Sequence, residues 1–255
     1  MIEVQNLSKS FGTKKAVDAV SFKVNPGEVF GYLGPNGAGK STTIKMLTGL
    51  LKPDSGSMLI NGIDMLIHPV EAKKQFGYVP ESGAIYEKLT PYEYLQVVGR
   101  MYKMAEKEIE ERIYEILDLF GMTENGDQKM ASFSKGMKQR IVLAGAIIHN
   151  PSVIFLDEPL NGLDANTVIL VKELLRKYAG QGKTIFYSSH ILDVVEKICD
   201  RVSIINQGKI IAEGSVKELE SMTSQPSLEL VFKELTQGLD AQSAIEEFTR
   251  LPNHK

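Results

Sequence analysis

The residues that point most directly to chemistry form a glycine-rich loop, Gly34-Pro35-Asn36-Gly37-Ala38-Gly39-Lys40-Ser41, followed by Thr42. The loop lies between a short apolar run, residues 29–33, and a segment with helical character. A strand, a glycine loop and the first turn of a helix are the context in which this pattern binds phosphate. The glycines let consecutive backbone N–H groups surround an anion, and the helix N-terminus adds positive potential.

Two side chains of the loop add chemistry that its backbone lacks. The Lys40 ammonium is expected to contact the β- and γ-phosphates of a nucleotide, and the Ser41 hydroxyl is suited to ligate Mg²⁺. The alternative is an ordinary glycine-rich turn with a lysine that faces solvent. The strand–loop–helix context favours phosphate binding, so we expect a nucleoside triphosphate and Mg²⁺ here.

A second group of polar residues follows an apolar run. Residues 153–156 are all apolar and lead directly into Asp157 and Glu158. Such runs are typical of strands buried in a parallel sheet, and ligand-binding groups gather at the carboxyl ends of these strands. Asp157 is therefore expected to hold Mg²⁺ opposite Ser41, and Glu158 to accept a proton from an attacking water or orient it. An Asp-Glu pair here can also be a solvated helix cap.

Two further side chains are candidates with clear alternatives. His190 follows another strand, residues 184–187, and is placed to donate to a γ-phosphate oxygen, although a lone histidine is more often structural. Phe11 precedes Gly12 and has the shape to stack on an adenine ring. From the residues alone, a Phe packed under its own turn is an equally good interpretation of Phe11.

The stretch from Ser132 to Arg140 separates this chain from most phosphate-binding proteins. Ser134 and Gly136 open a helix that continues into an apolar segment, which makes a second helix N-terminus suited to an anion. One phosphate loop does not require two such sites. If the second site faces the nucleotide of a partner, two copies of the chain clamp two ATP molecules between them.

Composition excludes several other classes. The 255 residues carry a formal charge of −3, which gives no electrostatic reason to expect nucleic acid or an anionic membrane as partner. The single cysteine, Cys199, rules out an internal disulfide, and the four histidines show no zinc pattern. The mixed N-terminus is no signal peptide, and the longest apolar run is far shorter than the ~20 residues that span a bilayer. We therefore expect no transmembrane segment and a cytoplasmic protein.

The order of strand-like and helix-like segments predicts an α/β chain in four parts. Residues 1–89 combine an antiparallel patch with the phosphate loop, and residues 90–150 form an all-helical insertion. Residues 151–219 return to buried strands that carry Asp157 and His190. Residues 220–255 form a helical tail in which Leu228, Val231, Phe232 and Leu235 share one face, and Ile245 and Phe248 are expected to continue it. The tail either closes over its own domain or contacts a partner.

With these motifs in this order, the chain resembles the ATP-binding cassette ATPases, the nucleotide-binding subunits of ABC transporters, over roughly residues 2–219. By that resemblance Gly34 to Ser41 correspond to the Walker A loop, and residues 153–158 to Walker B with its catalytic glutamate. Residues 133–137 correspond to the signature motif, residues 161–164 to the D-loop, His190 to the switch histidine and Phe11 to the adenine-stacking aromatic.

The resemblance implies a fold, partners and a location. It implies a P-loop, RecA-like core with a mostly parallel sheet, an antiparallel β-subdomain and a helical subdomain that docks on a permease. It also implies a homodimer or cassette heterodimer around two Mg-ATP, with separate transmembrane permease subunits that hold it at the inner face of the cell membrane. The alternatives are a soluble cassette ATPase of DNA repair or translation, and an unrelated P-loop kinase or GTPase.

The chain departs from the family pattern at three positions. Glu81 stands where the Q-loop glutamine is usual; its carboxylate is still able to ligate Mg²⁺ or hold its water, but it adds negative charge. Lys135 and Met137 stand where the signature motif usually has glycine and glutamine. Ser134 and Gly136 are kept, so the phosphate-facing helix end is expected to survive. By resemblance, these departures favour exporter-type ATPases.

Overall fold

The computed structural model describes residues 1–82 and 85–236. In chain order, the strands are β1 (Ile2–Phe11), β2 (Lys14–Val24), β3 (Val29–Leu33), β4 (Ser55–Ile60), β5 (Ile63–Asp64), β6 (Phe76–Val79), β7 (Val153–Asp157), β8 (Thr184–Ser188), β9 (Arg201–Asn206) and β10 (Lys209–Gly214). The α-helices are α1 (Lys40–Leu47), α2 (Pro69–Lys73), α3 (Pro91–Met101), α4 (Glu106–Leu119), α5 (Lys135–Ile147), α6 (Ala165–Gly180), α7 (Leu192–Ile198), α8 (Val216–Thr223) and α9 (Leu228–Thr236).

The strands form two sheets of different character. The smaller sheet has the order β2-β1-β4-β5 and is antiparallel throughout. The larger sheet has the order β10-β9-β3-β8-β7-β6 and is parallel except at the β9–β10 pair. Every residue of β3, β7 and β8 is buried, as their continuous apolar sequences predicted. The prediction of an α/β fold with a mostly parallel core sheet is therefore confirmed.

The helical insertion begins at the N-terminus that the sequence indicated. Thr90 Oγ1 accepts the Glu93 N–H at 3.1 Å, and the Thr90 N–H donates to the Glu93 carboxylate at 2.8 Å. This reciprocal capping box, with Pro91 in the first helical position, satisfies donors that a helix start leaves free. In α4, Ile109, Ile113, Ile116 and Leu117 are buried at helical spacing, and the chain then turns at Gly121 with φ +63°.

The described part of the tail packs on its own chain. Leu228 and Val231 of α9 are fully buried, and Phe232 and Leu235 are partly buried against the same core. Ile245 and Phe248 lie outside the described residues. The division of the chain at residues 89, 150 and 219 stays a prediction. Among residues 1–82 and 85–236, no helix has the length and apolar character needed to cross a bilayer.

A stacked aromatic pair of the helical insertion is hydrogen-bonded to the core sheet. Tyr102, at the end of α3, stacks on His149 with ring centroids 3.5 Å apart. The Tyr102 hydroxyl donates to the Phe76 carbonyl of β6 at 3.3 Å, and His149 Nε2 lies 3.1 Å from the same oxygen. Burial lowers the pKa of His149 to about 4, so its ring is neutral at pH 7.

This histidine predicts a loss of stability in mild acid. Below about pH 6.5 the unfolded chain takes up a proton at His149 that the folded chain, with its lower pKa, does not. Stability falls as the pH drops from about 6.5 towards 4, and by pH 5 the loss from this group is ~1–2 kcal/mol. Urea unfolding at pH 7.5 and pH 5 should show a smaller loss in His149→Phe, which keeps the stack. The exposed His68 offers the control, because His68→Gln should lose as much stability as the parent.

Candidate active site

A cavity of about 690 Å³ opens at the carboxyl ends of β3, β7 and β8. Most of the candidate site residues line it, namely Phe11, Gly34, Pro35, Asn36, Gly37, Gly39, Lys40, Ser41, Thr42, Glu81, Asp157, Glu158 and His190. Three candidates do not line it, and these are Ala38, Ser134 and Gly136. Residues from five separate stretches of the chain therefore meet at one end of the parallel sheet.

The backbone of the loop explains two of its glycines. Gly39 caps α1 with φ +116°, and a Cβ at this position would lie 2.4 Å from the Ala16 carbonyl oxygen. A Cβ on Gly34 would lie 2.3 Å from the Ile205 carbonyl oxygen. No side chain caps the start of α1, so its first N–H groups are left for a ligand in the cavity. Ala38 is buried under the loop, where its N–H donates to the Pro35 carbonyl.

Lys40 lies folded back onto the loop. Its ammonium donates to the Gly34 carbonyl at 2.6 Å and to the Pro35 carbonyl at 3.3 Å. The side chain is 8% exposed, and this burial lowers the pKa of Lys40, an effect that the nearby carboxylates oppose. The ammonium is thus a buried cation at the floor of the glycine-rich loop.

Asp157 is a buried carboxylate that accepts a hydrogen bond from a serine hydroxyl. Its Oδ1 accepts the Ser188 hydroxyl at 2.7 Å, and the side chain is 2% exposed. Burial raises the pKa of Asp157, Ser188 opposes this, and the carboxylates of Glu81 and Glu158 raise it further. A bound cation would relieve that charge concentration, which suits an ion that prefers oxygen ligands. Within residues 1–82 and 85–236, no cluster of three or more Asp, Glu, His or Cys side chains forms a complete metal site.

Glu158 is held at both carboxylate oxygens. Oε1 lies 2.7 Å from His190 Nδ1, and Oε2 accepts the Ser189 hydroxyl at 3.2 Å. The backbone of Glu158 is left-handed, with φ +49°, and its N–H donates to the Ser188 carbonyl. A non-glycine residue in this conformation is strained, which is common where a side chain must be aimed at a site.

Sequence reasoning missed the two serines. The register of β7 against β8 pairs Asp157 with Ser188, so consecutive carboxylates face consecutive hydroxyls across the sheet. The sequence shows that Ser188, Ser189 and His190 follow an apolar strand. It does not show which residue of β7 lies opposite them, because that register depends on residues far apart in the chain. Phe232 of α9 also lines the cavity and was missed, because nothing local links the tail to the loop.

Phe11 and Glu81 also line the cavity, as expected from the sequence. Phe11 is 53% exposed with the Lys9 ammonium 5.9 Å from its ring centroid, so it is not packed under its own turn. That exposure favours the stacking interpretation. Glu81 lines the cavity and adds its negative charge to that of Asp157.

Ser134 and Gly136 lie away from the cavity, at the start of α5. Ser134 caps this helix by accepting the Met137 N–H at 3.2 Å, and both Ser134 and Lys135 are exposed. A Cβ on Gly136 would lie 2.7 Å from the Gly162 carbonyl oxygen, so glycine here permits a close approach of two backbones.

The start of α5 is joined to the loop that follows Glu158. The Lys135 side chain packs over Gly162, because a Cβ on that glycine would lie 3.1 Å from Lys135 Cδ. Gln139 Nε2 donates to the Pro159 carbonyl at 2.9 Å, and Arg140 Nη2 donates to Asp164 at 2.5 Å. We call these contacts the helix–loop clasp. Hydrogen bonds from Thr167, and then from Arg140, hold the pKa of Asp164 well below its usual range.

The chain is similar to known proteins of one family. The family model for ABC transporters matches residues 17–161. The linearmycin resistance ATP-binding protein LnrL of Bacillus subtilis (strain 168) is 40% identical over 219 residues, which cover 86% of this chain and 70% of the relative.

Two solved structures share the fold. A structure of the ATP-binding subunit of an ABC transporter superposes with a TM-score of 0.88 at 34% identity, covering 92% of this chain and 99% of that one. A dimeric post-hydrolysis cassette bound to ADP and Pi superposes with a TM-score of 0.76 at 25% identity, covering 84% of this chain and 98% of that one. These matches confirm the transporter interpretation and give no support to a role in DNA repair. The chain belongs to the ABC transporter family, as an ATP-binding subunit that hydrolyses ATP.

Proposed function

We propose that two copies of this subunit, or this subunit and a similar cassette, enclose two Mg-ATP and drive export through separate membrane permease subunits. The observation that carries the proposal is that the start of α5 does not line the cavity of its own chain. Ser134 and Gly136 do not line the cavity that holds Lys40 and Glu158. The exposed start of α5 is therefore free to complete the cavity of a second copy.

Each residue of the cavity has a proposed role. The first turn of α1 and Lys40 bind the phosphates, and Phe11 stacks on the adenine. Residues Gly34 to Thr42 form the phosphate cradle. Glu158 orients an attacking water and accepts its proton, and His190 donates to the γ-phosphate. Ser134 and Gly136 act on the nucleotide of the partner.

We assign the magnesium site to Ser41, Asp157 and Glu81. Their oxygen atoms are the ligand type that Mg²⁺ prefers, and the nucleotide phosphates are expected to supply further oxygens. When bound, the ion neutralises charge on the β- and γ-phosphates. Ser188 orients the Asp157 carboxylate through their 2.7 Å hydrogen bond.

The permease contact is proposed for the helical insertion. Four large hydrophobic side chains of the insertion are exposed, with Met101 at 76%, Tyr114 at 55%, Val97 at 43% and Leu119 at 38%. Exposed apolar side chains of this size mark interaction surfaces when they occur together. A permease bound here would hold the subunit at the inner face of the membrane. The resistance function in the name of LnrL supports export over import.

A mixing experiment tests whether the two copies share their sites. Lys40→Ala and Ser134→Arg are each expected to be inactive as homodimers, because each change damages both cavities of the pair. In a mixed dimer both changes fall in one cavity and the other cavity is intact. Random mixing of equal amounts should therefore restore about a quarter of the parent ATPase rate.

The measurement is phosphate release from each variant alone and from the mixture after ATP-dependent assembly. Lys45→Ala, which changes an exposed lysine of α1, mixed with Ser134→Arg controls for dilution of an active protein. A mixture of Lys40→Ala and Ser134→Arg that is no more active than the sum of its parts would show that each chain completes its own site.

A further inference from the structure

A buried serine beside the catalytic glutamate has no part in the roles assigned above. Ser189 follows β8 and is 2% exposed. Its hydroxyl accepts the Ile191 N–H at 3.1 Å and donates to Glu158 Oε2 at 3.2 Å. Because the Ile191 N–H approaches a lone pair of Ser189 Oγ, the hydroxyl hydrogen is directed at the carboxylate.

The two contacts of Glu158 differ in their freedom to move. His190 holds Oε1 at 2.7 Å, but its side chain is 60% exposed at the edge of the cavity. Ser189 is enclosed, and its backbone continues directly from the central strand β8. A ligand in the cavity can therefore draw His190 away from Glu158, whereas Ser189 stays where the sheet places it.

We propose that Ser189 is a positioning residue, which keeps Glu158 oriented for water activation after His190 has turned to the γ-phosphate. This inference rests on the proposed function. When His190 leaves, Oε1 is released towards the water, and Oε2 stays bound to the Ser189 hydroxyl. Without that hydroxyl the carboxylate turns about its terminal torsion and spends less time aligned with the water.

A purely structural role for Ser189 predicts a different result for its replacement by alanine. Its bond with the Ile191 N–H supports the turn that leads into α7, so an alanine there could disturb this turn whatever residue stands at 158. The positioning role acts only through Glu158. The two roles therefore separate in a variant whose glutamate has already been replaced.

The experiment measures ATP hydrolysis and ATP binding for Ser189→Ala, alone and combined with Glu158→Gln. Alone, Ser189→Ala should lower kcat about 10-fold, since one hydrogen bond to a charged group is lost, and leave the affinity for ATP within about twofold. In the Glu158→Gln background the same change should not lower the residual rate further. Ser203→Ala is the matched control, because Ser203 is also buried and its Oγ has no hydrogen-bond partner among the described residues.

Three results would overturn the proposal. They are an unchanged kcat in Ser189→Ala, a loss of ATP affinity in place of kcat, and an equal loss of rate with and without Glu158. If Ser189→Ala does not fold, Ser189→Cys keeps the volume with a weaker donor and enters the same comparison. The mixing experiment contains no change at Ser189. It therefore tests the shared-site proposal independently of the role of Ser189.

Discussion

Glu158→Gln is expected to bind ATP, to hydrolyse it at least ~100-fold more slowly than the parent, and to accumulate as an ATP-bound dimer. The amide has the size of the carboxylate but cannot take a proton from water. It also removes one negative charge beside Asp157. The pKa of Asp157 is raised first by burial and then by the negative charges of Glu81 and Glu158. Nucleotide binding is therefore retained while the step that reopens the pair is blocked.

Light scattering after gel filtration, with and without Mg-ATP, measures the dimer, and phosphate release measures hydrolysis. Glu110→Gln, an exposed position of α4, is the control for loss of one negative charge and should behave as the parent. A Glu158→Gln variant that turns over ATP at the parent rate would remove Glu158 from its assigned role. A variant that is inactive but stays monomeric with ATP would contradict the shared cavity.

Lys40→Met should weaken ATP binding about 100-fold, because we expect the ammonium to make charge-assisted contacts with phosphate that a thioether cannot replace. Without nucleotide the stability should change little. The variant loses the hydrogen bonds to Gly34 and Pro35 and the attraction of Asp157 and Glu158, but it no longer buries an ammonium.

Chemical denaturation with and without ATP measures both effects. At an ATP concentration 100 times its Kd, the parent gains ~2.7 kcal/mol of stability, whereas the variant at the same concentration gains ~0.4 kcal/mol. Lys45→Met, on the exposed face of the same helix, should gain as much as the parent. Parent-like stabilisation of Lys40→Met by ATP would mean that the lysine does not contact the phosphates.

The parts of the site that could be predicted from the sequence are those formed by residues that follow one another in the chain. The loop from Gly34 to Ser41 carries its own strand, turn and helix start, so its structure follows from local conformation. Asp157 and Glu158 were predictable for the same reason, because an apolar run that ends in carboxylates indicates the end of a buried strand.

The parts that could not be predicted depend on which distant residues meet. Ser188 and Ser189 reach the two carboxylates only through the β7–β8 register, and Tyr102 and His149 reach the Phe76 carbonyl only after the insertion packs on the core. The sequence predicted an antiparallel patch in residues 1–89 but not the full length of the β1–β2 hairpin. Asn6 and Ala19 have positive φ there and the register shifts, so the alternation that identifies a strand is interrupted.

Lys135 shows how a departure from a family pattern is explained by its surroundings. The sequence placed an unusual cation beside a phosphate-facing helix end. In the structure the aliphatic part of its side chain covers Gly162, where a larger residue would compete for the same space. The lysine at 135 and the glycine at 162 therefore fit each other sterically, a relation that no local pattern reports.

The helix–loop clasp lies between the exposed start of α5 and the loop that follows Glu158. Gln139 and Arg140 tie the start of α5 to Pro159 and Asp164, only a few residues from Glu158. We therefore expect a displacement of that helix end by a neighbouring molecule to reach the loop that follows Glu158. In a pair of such subunits we therefore expect the clasp to link each pocket to the neighbour that completes it, while an intact pocket still turns over beside a damaged one.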